Sequence, residues 1–302
     1  MFLNDLEFAE QMSKWGARSL PEQKLSERTS LGVGGPADVI VLERLDALEP
    51  VVEGLRERGI PWKLLGGGTN VLAADEPHRR VYLHLAHSAN DITIEGNRAR
   101  VAAAAEIGRT VQECAKRDLG GMEGLVGVPG SVGGALRMNA GAYGTQIGPL
   151  VRSVKVFRGA TGRCEELPAG AIGFEYRKSS FAPDDIMLEV KMELETRPFR
   201  EILDHVKSLN QRRRSSQPIK EKSAGCIFKN PPGLSTGKLI DELGMKGMQV
   251  GGAVVSERHA NFLVNRHGAT AADLLRLMDL IRERVLGSYG IELEEEVIVW
   301  KN

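Results

Sequence analysis

Apolar residues recur at two different spacings along this chain, and the two spacings predict a mixture of helices and strands. Residues 45–58 place apolar side chains three or four positions apart, as one face of a helix requires, and Gly59 follows where a C-cap glycine is expected. Apolar runs at residues 39–42 and 62–65 flank this helix and predict strands. Together they predict a β-α-β unit that leads into a glycine-rich loop.

The same two spacings predict the remaining elements. Gly96 and Asn97 separate two short alternating runs, which predicts a hairpin with a two-residue turn. Helices are predicted over residues 1–15, 107–117, 199–214, 236–243 and 271–286. Strands are predicted over residues 81–85, 92–95, 98–104, 151–158, 163–167, 186–194, 261–265 and 293–300. The pattern is that of an α+β protein.

Composition narrows the class of protein. The 302 residues are enough for two or three domains, and 40 basic residues balance 40 acidic ones, which argues against a nucleic-acid partner. We expect no membrane insertion, since no apolar run approaches the length of a membrane span and the first 20 residues lack a signal-peptide core. Three widely spaced cysteines favour a reducing cytoplasm over a disulfide framework.

The segment over residues 127–144 is the most unusual part of the sequence. It reads Gly-Val-Pro-Gly-Ser-Val-Gly-Gly-Ala-Leu-Arg-Met-Asn-Ala-Gly-Ala-Tyr-Gly, and six of its eighteen residues are glycine. Glycine allows main-chain N–H groups to approach phosphate oxygens closely, and Ser131 adds a hydroxyl donor. A flexible linker is the alternative, but linkers are richer in serine and charge, and this segment carries one charge, Arg137.

A second glycine run, Gly66-Gly67-Gly68-Thr69-Asn70, follows the predicted strand at residues 62–65. A strand followed by a glycine loop is a phosphate-binding context. Neither run has the Rossmann Gly-x-Gly-x-x-Gly spacing. The Gly237-Lys238 pair is followed by leucine where a P-loop needs serine or threonine. The two loops therefore predict phosphate binding by a different fold.

No metal signature is present, since the close pair His84 and His87 would point to opposite faces of a strand. Three other segments are candidates for chemistry. Arg177 stands among aromatic residues and could hold an anion, or it could be a surface arginine stacked on Tyr176. Cys226, in Ala-Gly-Cys-Ile-Phe-Lys-Asn-Pro, could lie in a site loop or be a small buried residue. The run at residues 294–296 could be a solvated acidic terminus or turn one acid inward.

These segments together resemble those of the UDP-N-acetylenolpyruvoylglucosamine reductases, also called UDP-N-acetylmuramate dehydrogenases. The matching segments occur in family order over nearly the whole chain, at residues 29–38, 66–72, 127–144, 176–181, 224–231, 246–265 and 294–297. The run His-Ala-Asn-Phe and the short connection over residues 170–180 resemble the branch that lacks an extra tyrosine-bearing lid loop.

The resemblance implies an architecture and a cofactor. It implies a two-part FAD-binding unit of the vanillyl-alcohol-oxidase (PCMH) type, over residues 1–80 and 81–195, and a C-terminal α+β substrate domain over residues 196–302. FAD would be held non-covalently, with its diphosphate against the two glycine loops. The residues so assigned to the cofactor are Gly66, Gly67, Gly68, Thr69, Asn70, Gly127, Val128, Pro129, Gly130, Ser131, Gly133, Gly134, Asn139, Gly141, Ala142, Tyr143 and Gly144.

The resemblance also implies a reaction in peptidoglycan precursor synthesis. NADPH reduces the flavin, and hydride then passes from flavin N5 to the enolpyruvyl group of UDP-GlcNAc-enolpyruvate before a proton arrives. By position in the motifs, Arg177 would stabilise the developing negative charge and Glu296 would be the second stabilising residue. Arg213, Lys229 and Asn230 match positions expected near the nucleotide-sugar or its phosphates. The partners are small molecules, and we expect a monomer.

The proton donor is where this chain departs from the family pattern. The family usually has serine after Ala-Gly, and here Cys226 stands in that position. A thiol with a pKa of about 8.5 is a stronger acid than a serine hydroxyl. We predict that Cys226 substitutes for the serine, because the motif around it is kept.

Two other functions are compatible with parts of the sequence. A flavin oxidase of the same superfamily, acting on another alcohol or sugar, would consume oxygen. A flavin- or nucleotide-sugar-binding protein without catalysis would explain the replacement of serine by Cys226. Oxidation of NADPH that depends on the enolpyruvyl sugar would exclude the protein without catalysis.

Overall fold

The computed structural model describes residues 2–4, 6–86 and 92–301. Its helices in chain order are α1 (Leu6–Trp15), α2 (Leu48–Glu57), α3 (Ile107–Ala115), α4 (Val132–Arg137), α5 (Phe199–Ser216), α6 (Thr236–Glu242) and α7 (Ala271–Tyr289). Short 3-10 helices occupy Phe2–Asn4, Leu25–Glu27, Leu45–Ala47, Glu123–Leu125, Gly148–Leu150 and Ala169–Ala171. Among these residues, no helix combines the length and the apolar character that a membrane crossing requires.

The strands are mostly short. In chain order they are β1 (Ala17–Lys24), β2 (Pro36–Leu42), β3 (Trp62–Leu64), β4 (Val71–Ala73), β5 (Val81–Leu85), β6 (Ile92–Glu95), β7 (Arg98–Ala102), β8 (Leu119–Gly120), β9 (Gly141–Ala142), β10 (Thr145–Gln146), β11 (Val151–Arg158), β12 (Arg163–Pro168), β13 (Phe174–Glu175), β14 (Lys178–Ser179), β15 (Asp185–Glu193), β16 (Glu195–Thr196), β17 (Lys222–Cys226), β18 (Gln249–Val250), β19 (Ala253–Val255), β20 (Phe262–Asn265) and β21 (Ile298–Trp300).

The chain folds into two compact units. The first consists of Met1–Pro21, Asp38–Gly67 and Arg80–Gln211, and the second of Glu22–Ala37, Gly68–Arg79 and Arg212–Asn302. The predicted domain limits at residues 80 and 195 stay a prediction.

The first unit contains the predicted β-α-β unit. Its four-stranded sheet has the order β1-β2-β5-β3, with β5 parallel to both β2 and β3. Helix α2 connects β2 to β3 and buries Leu48, Val51, Val52 and Leu55 in one hydrophobic core. The apolar spacing therefore predicted both the helix and the face that it buries.

A second, antiparallel sheet of the first unit has the order β12-β11-β15-β7-β6. Strand β15 shows why this sheet packs on both faces, because successive side chains point in opposite directions. Ile186 and Leu188 belong to the core that contains α2, whereas Met187 and Val190 belong to the core that contains α3. A shift in the pairing with β11 at Leu188 interrupts the alternation and places Val190 in the same core as Met187. The thiol of Cys114 on α3 is fully buried there, and burial raises its pKa to about 12.

The second unit has its own core. An antiparallel sheet of order β17-β20-β19-β18 packs with α6 and α7, and β21 runs parallel to β4. Helix α7 starts at a capping box in which Thr270 and Asp273 exchange hydrogen bonds. It ends at Tyr289, three residues later than the predicted end at Leu286, and Gly290 follows as a left-handed C-cap.

Several predicted elements differ in extent: the helix predicted over residues 1–15 is α1 over Leu6–Trp15, and two strands are shorter than predicted. The strand predicted over residues 293–300 exists as β21 over Ile298–Trp300, because the residues before it form a single bridge between Glu295 and Phe228. The strand predicted over residues 98–104 ends at Ala102. The Gly96-Asn97 turn is confirmed, since Glu95 pairs with Arg98 and Gly96 has a φ of 58°.

Candidate active site

The two glycine loops meet at Ser131 within the first unit. A β-carbon built on Gly66 would lie 3.5 Å from Ser131 Oγ, and one built on Gly134 would lie at the same distance. A side chain at either position would therefore cover this hydroxyl. Ser131 Oγ accepts the Gly134 N–H at 3.2 Å and caps α4, and a hydroxyl that accepts one hydrogen bond still has a proton to donate. This arrangement fits a phosphate group.

The start of α4 is fixed by main-chain contacts with the connection between β7 and α3. Val132 N donates to Ala105 O at 2.8 Å, and Gly133 N donates to Ala103 O at 2.7 Å. A β-carbon on Gly133 would lie 3.0 Å from Ala103 Cβ, so a glycine lets the two segments approach closely. These N–H groups are engaged within the protein, which explains part of the glycine content of residues 127–144 without a ligand.

The second half of the glycine-rich segment is a tight hairpin. Strands β9 and β10 pair through Ala142 and Thr145, and the turn between them is Tyr143-Gly144. Both turn residues are left-handed, with φ values of 50° and 82°. A two-residue turn with two positive φ values matches the twist of the flanking strands. The predicted cofactor residues Gly141, Ala142, Tyr143 and Gly144 therefore belong to one hairpin.

Residues 68–70, the rest of the glycine loop that begins at Gly66, belong to the second unit. Gly68 has a φ of 62°, and a β-carbon there would lie 2.0 Å from Arg28 O, so no other residue fits without a shift of main chain. Asn70 Nδ2 donates to the carbonyl of Glu296 at 3.0 Å, and Ile298 N donates to Asn70 O at 3.0 Å. A predicted cofactor residue is thus joined to the main chain of a predicted catalytic residue.

Arg177 occupies the turn of the β13–β14 hairpin in the first unit. Its φ of 57° is left-handed, which costs about 1–2 kcal/mol for a residue with a side chain. Its Nη1 donates to Gly141 O at 2.9 Å, and its Cζ lies 5.2 Å from the centre of the Tyr176 ring. Both sequence interpretations are therefore present: the arginine stacks on an exposed tyrosine and also contacts the glycine-rich segment.

Cys226 ends strand β17 in the second unit, directly after a bulge. Ser223 pairs with Val264 and Cys226 pairs with Phe262, so β17 has one residue more than its partner between these pairs. Gly225, within the bulge, has a φ of 78°. Bulges of this kind redirect a side chain and are frequent beside active sites. Cys226 itself is partly buried, in contrast to the fully buried Cys114 and the exposed Cys164.

The acidic run lies alongside the residues that follow Cys226. Lys229 N donates to Glu294 O at 2.8 Å, and Glu296 N donates to Ile227 O at 2.8 Å. The side chain of Glu294 forms an ion pair with Lys229 at 2.9 Å, and that of Glu295 pairs with Arg282. The main chain therefore places Glu296 opposite Ile227, one residue after Cys226, while its two neighbours are engaged in ion pairs.

The three predicted substrate-binding residues also lie in the second unit. Asn230 Oδ1 accepts the N–H of Thr236 at 3.0 Å at the start of α6. Lys229 pairs with Glu294, as described above. Arg213 is buried on α5, and its Nη1 donates to Gln217 Oε1 at 3.0 Å. Lys229 and Asn230 thus stand near Cys226 in the chain, whereas Arg213 lies on a separate helix.

Asn261 is a site residue that the sequence reasoning missed. It is buried, and its side chain contacts both main-chain groups of Phe228. Its Oδ1 accepts the Phe228 N–H at 3.1 Å, and its Nδ2 donates to Phe228 O at 2.8 Å. It therefore fixes the segment between Cys226 and Lys229. Asn261 lies within the segment over residues 246–265 that carried the family resemblance, and that was the one available signal.

Two further observations concern titratable groups. Within the described ranges, no three His, Cys, Asp or Glu side chains come together as metal ligands. His84 Nδ1 lies 3.0 Å from Leu65 O, and His87 falls outside the described residues. Burial and the positive charge of Lys246 lower the pKa of His259, whose Nδ1 accepts the Asn261 N–H at 3.3 Å.

Comparisons with known proteins identify the family. A model of the FAD binding domain matches residues 36–167, and a model of the UDP-N-acetylenolpyruvoylglucosamine reductase C-terminal domain matches residues 217–300. The enzyme of that name from Heliobacterium modesticaldum is 41% identical over 284 residues, which cover 93% of this chain and 90% of the relative. The chain belongs to the UDP-N-acetylenolpyruvoylglucosamine reductase family.

Other members of the family support this assignment. The reductase from Pelobacter propionicus is 39% identical over 279 residues, covering 92% of this chain and 94% of the relative. The crystal structure of the reductase from Thermus caldophilus superposes with a TM-score of 0.80 at 38% identity, and the match covers 94% of this chain and 99% of that one. These matches confirm the resemblance stated from the sequence.

The predicted fold class is confirmed as well. The protein is α+β, with an FAD-binding unit of the vanillyl-alcohol-oxidase type and a C-terminal reductase domain, and it is an FAD-dependent oxidoreductase. The roles of individual residues stay predictions from the sequence motifs.

Proposed function

We propose that this chain reduces UDP-GlcNAc-enolpyruvate to UDP-N-acetylmuramate in peptidoglycan precursor synthesis, with FAD as cofactor and NADPH as hydride donor. The observation that carries the proposal is the match of 41% identity over 93% of the chain to a reductase of this name. Apart from Arg213, the site residues inferred from the sequence occur within the segments that carry the family resemblance. The substrates are small molecules.

The glycine loops fit the diphosphate of FAD. Gly66 and Gly134 keep the hydroxyl of Ser131 accessible, and Ser131 can donate to a phosphate oxygen. When bound, FAD supplies the hydride chemistry that no side chain can perform. Ser131 and the main chain of the loop at residues 66–70 would hold it, and the other glycine-rich residues would shape the space around it.

Arg177 is assigned the stabilisation of negative charge beside the substrate carboxylate. Its guanidinium is planar, permanently charged and suited to carboxylate recognition. A single donor of this kind in a dry site is worth about 2.7–4 kcal/mol. The left-handed backbone and the contact with Gly141 hold the arginine in one orientation, which is what charge stabilisation requires.

Cys226 is assigned the delivery of the proton, and Glu296 a supporting charge role. The bulge at Gly225 sets the direction of the Cys226 side chain. Main-chain pairing holds Glu296 opposite Ile227, so the two residues keep a fixed relation. Lys229, Asn230 and Arg213 are assigned to the nucleotide-sugar. A monomer and a cytoplasmic location stay predictions.

The experiment that tests this function is an anaerobic visible spectrum of the purified protein. We expect the flavin absorbance to bleach with NADPH and to return when UDP-GlcNAc-enolpyruvate is added. A flavin that bleaches but stays reduced after addition of the sugar would contradict the assignment of UDP-GlcNAc-enolpyruvate as the substrate. A protein that remains colourless after reconstitution with FAD would contradict the assignment of both glycine loops.

A further inference from the structure

The predicted anion-binding Arg177 and two residues of the glycine-rich segment that it contacts have a left-handed backbone. Among the described residues, five non-glycine residues have a positive φ, and Asn139, Tyr143 and Arg177 are three of them. Such residues persist where the surrounding structure holds them, and they concentrate at functional sites. The contacts that hold Arg177 in its turn therefore bear on catalysis.

The hairpin that carries Arg177 is held weakly by its own strands. Strands β13 and β14 pair through two residue pairs, Phe174 with Ser179 and Glu175 with Lys178. A two-stranded hairpin is marginal in isolation. Its position must therefore be set by the segments on which it lies.

Asn139 supplies such a link from inside the protein. It is 2% exposed, and its Nδ2 donates to Glu175 O at 2.9 Å, two residues before Arg177. The same nitrogen donates to Gln146 Oε1 at 3.2 Å, and its Oδ1 accepts the Gly148 N–H at 3.1 Å. An amide has two protons to give, and both are used within the protein.

Resting on the role assigned to Arg177 above, we propose that Asn139 is a positioning residue for this arginine. Its amide joins the glycine-rich segment to the hairpin strand, while Arg177 contacts the same segment at Gly141. Ser179 on β14 also donates to Arg137 O at 2.8 Å, so loss of the Asn139 donors would leave the β13 side of the hairpin without its link and let the guanidinium move. A displacement of about 1 Å can reduce a rate by about a hundredfold.

The aspartate variant isolates the two donors. Asn139→Asp keeps the size, the acceptor for Gly148 and the tolerance of a left-handed backbone. It removes both N–H donors and sets a carboxylate against Glu175 O and Gln146 Oε1. We expect the transfer of hydride to the enolpyruvyl sugar to slow by at least about tenfold. Both half-reactions are measured at saturating FAD, and we expect reduction by NADPH to slow less than transfer to the sugar.

Asp118 provides a control in the same unit. It also has a left-handed backbone, with a φ of 58°, and its Oδ1 accepts a main-chain N–H, that of Phe199, at 2.7 Å. Asp118→Gly and Asn139→Gly both remove a side-chain link at a position where glycine is free of strain. We expect only Asn139→Gly to slow hydride transfer to the sugar. This pair also replaces the aspartate variant should that variant fail to fold.

A double-mutant cycle with Arg177→Ala separates positioning from other effects. If Asn139 acts through the arginine, Asn139→Asp slows hydride transfer in the presence of Arg177 and adds nothing in its absence. Equal slowing in both backgrounds overturns the proposal, as does equal slowing of both half-reactions. A loss of FAD affinity with normal hydride transfer at saturating FAD also overturns it and makes Asn139 the cofactor contact predicted from the sequence.

The same variants distinguish failure of the role assigned to Arg177 from failure of the role assigned to Asn139. If Arg177→Ala alone leaves hydride transfer unchanged, the role of the arginine fails, and the positioning role fails with it. If Arg177→Ala slows transfer while Asn139→Asp does not, the arginine keeps its role and the inference about Asn139 is overturned.

Discussion

Arg177 and Cys226 are held in place by different kinds of contact. Cys226 lies on a strand that pairs with β20, and the residues that follow it pair with residues 294–296. Arg177 lies on a hairpin of two residue pairs that is joined to the glycine-rich segment through Asn139. The first position is set mainly by main chain, and the second depends on side-chain contacts, among them those of Asn139 with Glu175 O and of Ser179 with Arg137 O.

The difference determines how each position responds to substitution. Main-chain pairing is largely independent of the side chain that it presents, so replacement of Cys226 changes the chemistry and leaves the position intact. Arg177 can lose its position without being mutated itself. In the second unit, some substitutions change the chemistry of Cys226 and others change its position. Measuring both kinds tests whether Cys226 is held differently from Arg177.

The largest effect is expected for Cys226→Ala. Loss of a general acid lowers turnover by about 10²–10⁴-fold, while FAD content and the urea midpoint stay unchanged because strand pairing is kept. Cys226→Ser retains a proton donor and keeps more of the activity. Steady-state oxidation of NADPH with the enolpyruvyl sugar measures both variants. Cys164→Ala, at an exposed position on β12, is the control. A loss below about tenfold for Cys226→Ala would remove the proton-donor role.

The next effect tests whether main chain alone holds the Cys226 segment. Asn261→Ala leaves the N–H and the C=O of the buried Phe228 without their side-chain partners. Each such group costs about 1–3 kcal/mol, so for the two groups we expect the free energy of unfolding to fall by about 2–6 kcal/mol. Urea denaturation followed by tryptophan fluorescence measures the change.

Two variants control this stability prediction. Asn261→Asp keeps the acceptor for Phe228 N but buries a carboxylate against Phe228 O, so it should lose at least as much stability as the alanine variant. Asn97→Ala, at an exposed turn, should stay within about 0.5 kcal/mol of the unmodified protein. If Asn261→Ala also changed the free energy of unfolding by less than about 0.5 kcal/mol, strand pairing alone would be enough to hold the Cys226 segment.

The sequence predicted what depends on local pattern. Periodicity located α2 and its buried face, because a helix that buries one face has apolar residues every three or four positions. It missed α4, because the glycines at positions 133 and 134 obscure a helical pattern while serving close packing against Ala103. The strand before Ile298 was overextended, because one bridged residue does not make a strand.

For the candidate site, the sequence indicated the residues with recognisable chemistry but not the residues that hold them in place. Motifs located the glycine loops, Arg177, Cys226 and Glu296, since these residues carry recognisable chemistry. Sequence pattern gave no supporting role to Asn139 or Asn261. Their hydrogen bonds join residues 36 and 33 positions apart, and such pairs are set by the folded topology.

A smaller effect is expected at the bulge. Gly225 and Gly290 both lie in the second unit with positive φ, and a β-carbon at either would meet no atom within 4 Å in the described structure. Alanine at each position should cost about 1–2 kcal/mol of stability from backbone strain alone. Gly225→Ala should also lower turnover by about tenfold, since relief of that strain shifts Cys226. Equal turnover in both variants would show that the bulge does not direct the thiol.

The smallest effect concerns His259, which contacts the Asn261 N–H through Nδ1. Because burial and Lys246 lower its pKa in the folded state, the unfolded chain binds a proton more readily. Unfolding therefore takes up a proton once the pH falls below the ordinary histidine value of about 6.5. Stability is fully present above that value and is lost as the pH drops towards the lower folded pKa.

His259→Gln isolates this contribution, because glutamine can occupy the site without titrating. The measurement is the difference in urea midpoint between the unmodified protein and the variant, at about pH 7.5 and about pH 5. The midpoint of the unmodified protein should fall more on acidification, because protonation of Nδ1 removes the acceptor for the Asn261 N–H. Parallel losses in the two proteins would mean that the histidine does not couple to the Asn261 contact, and the acid sensitivity of this unit would then arise from its carboxylates.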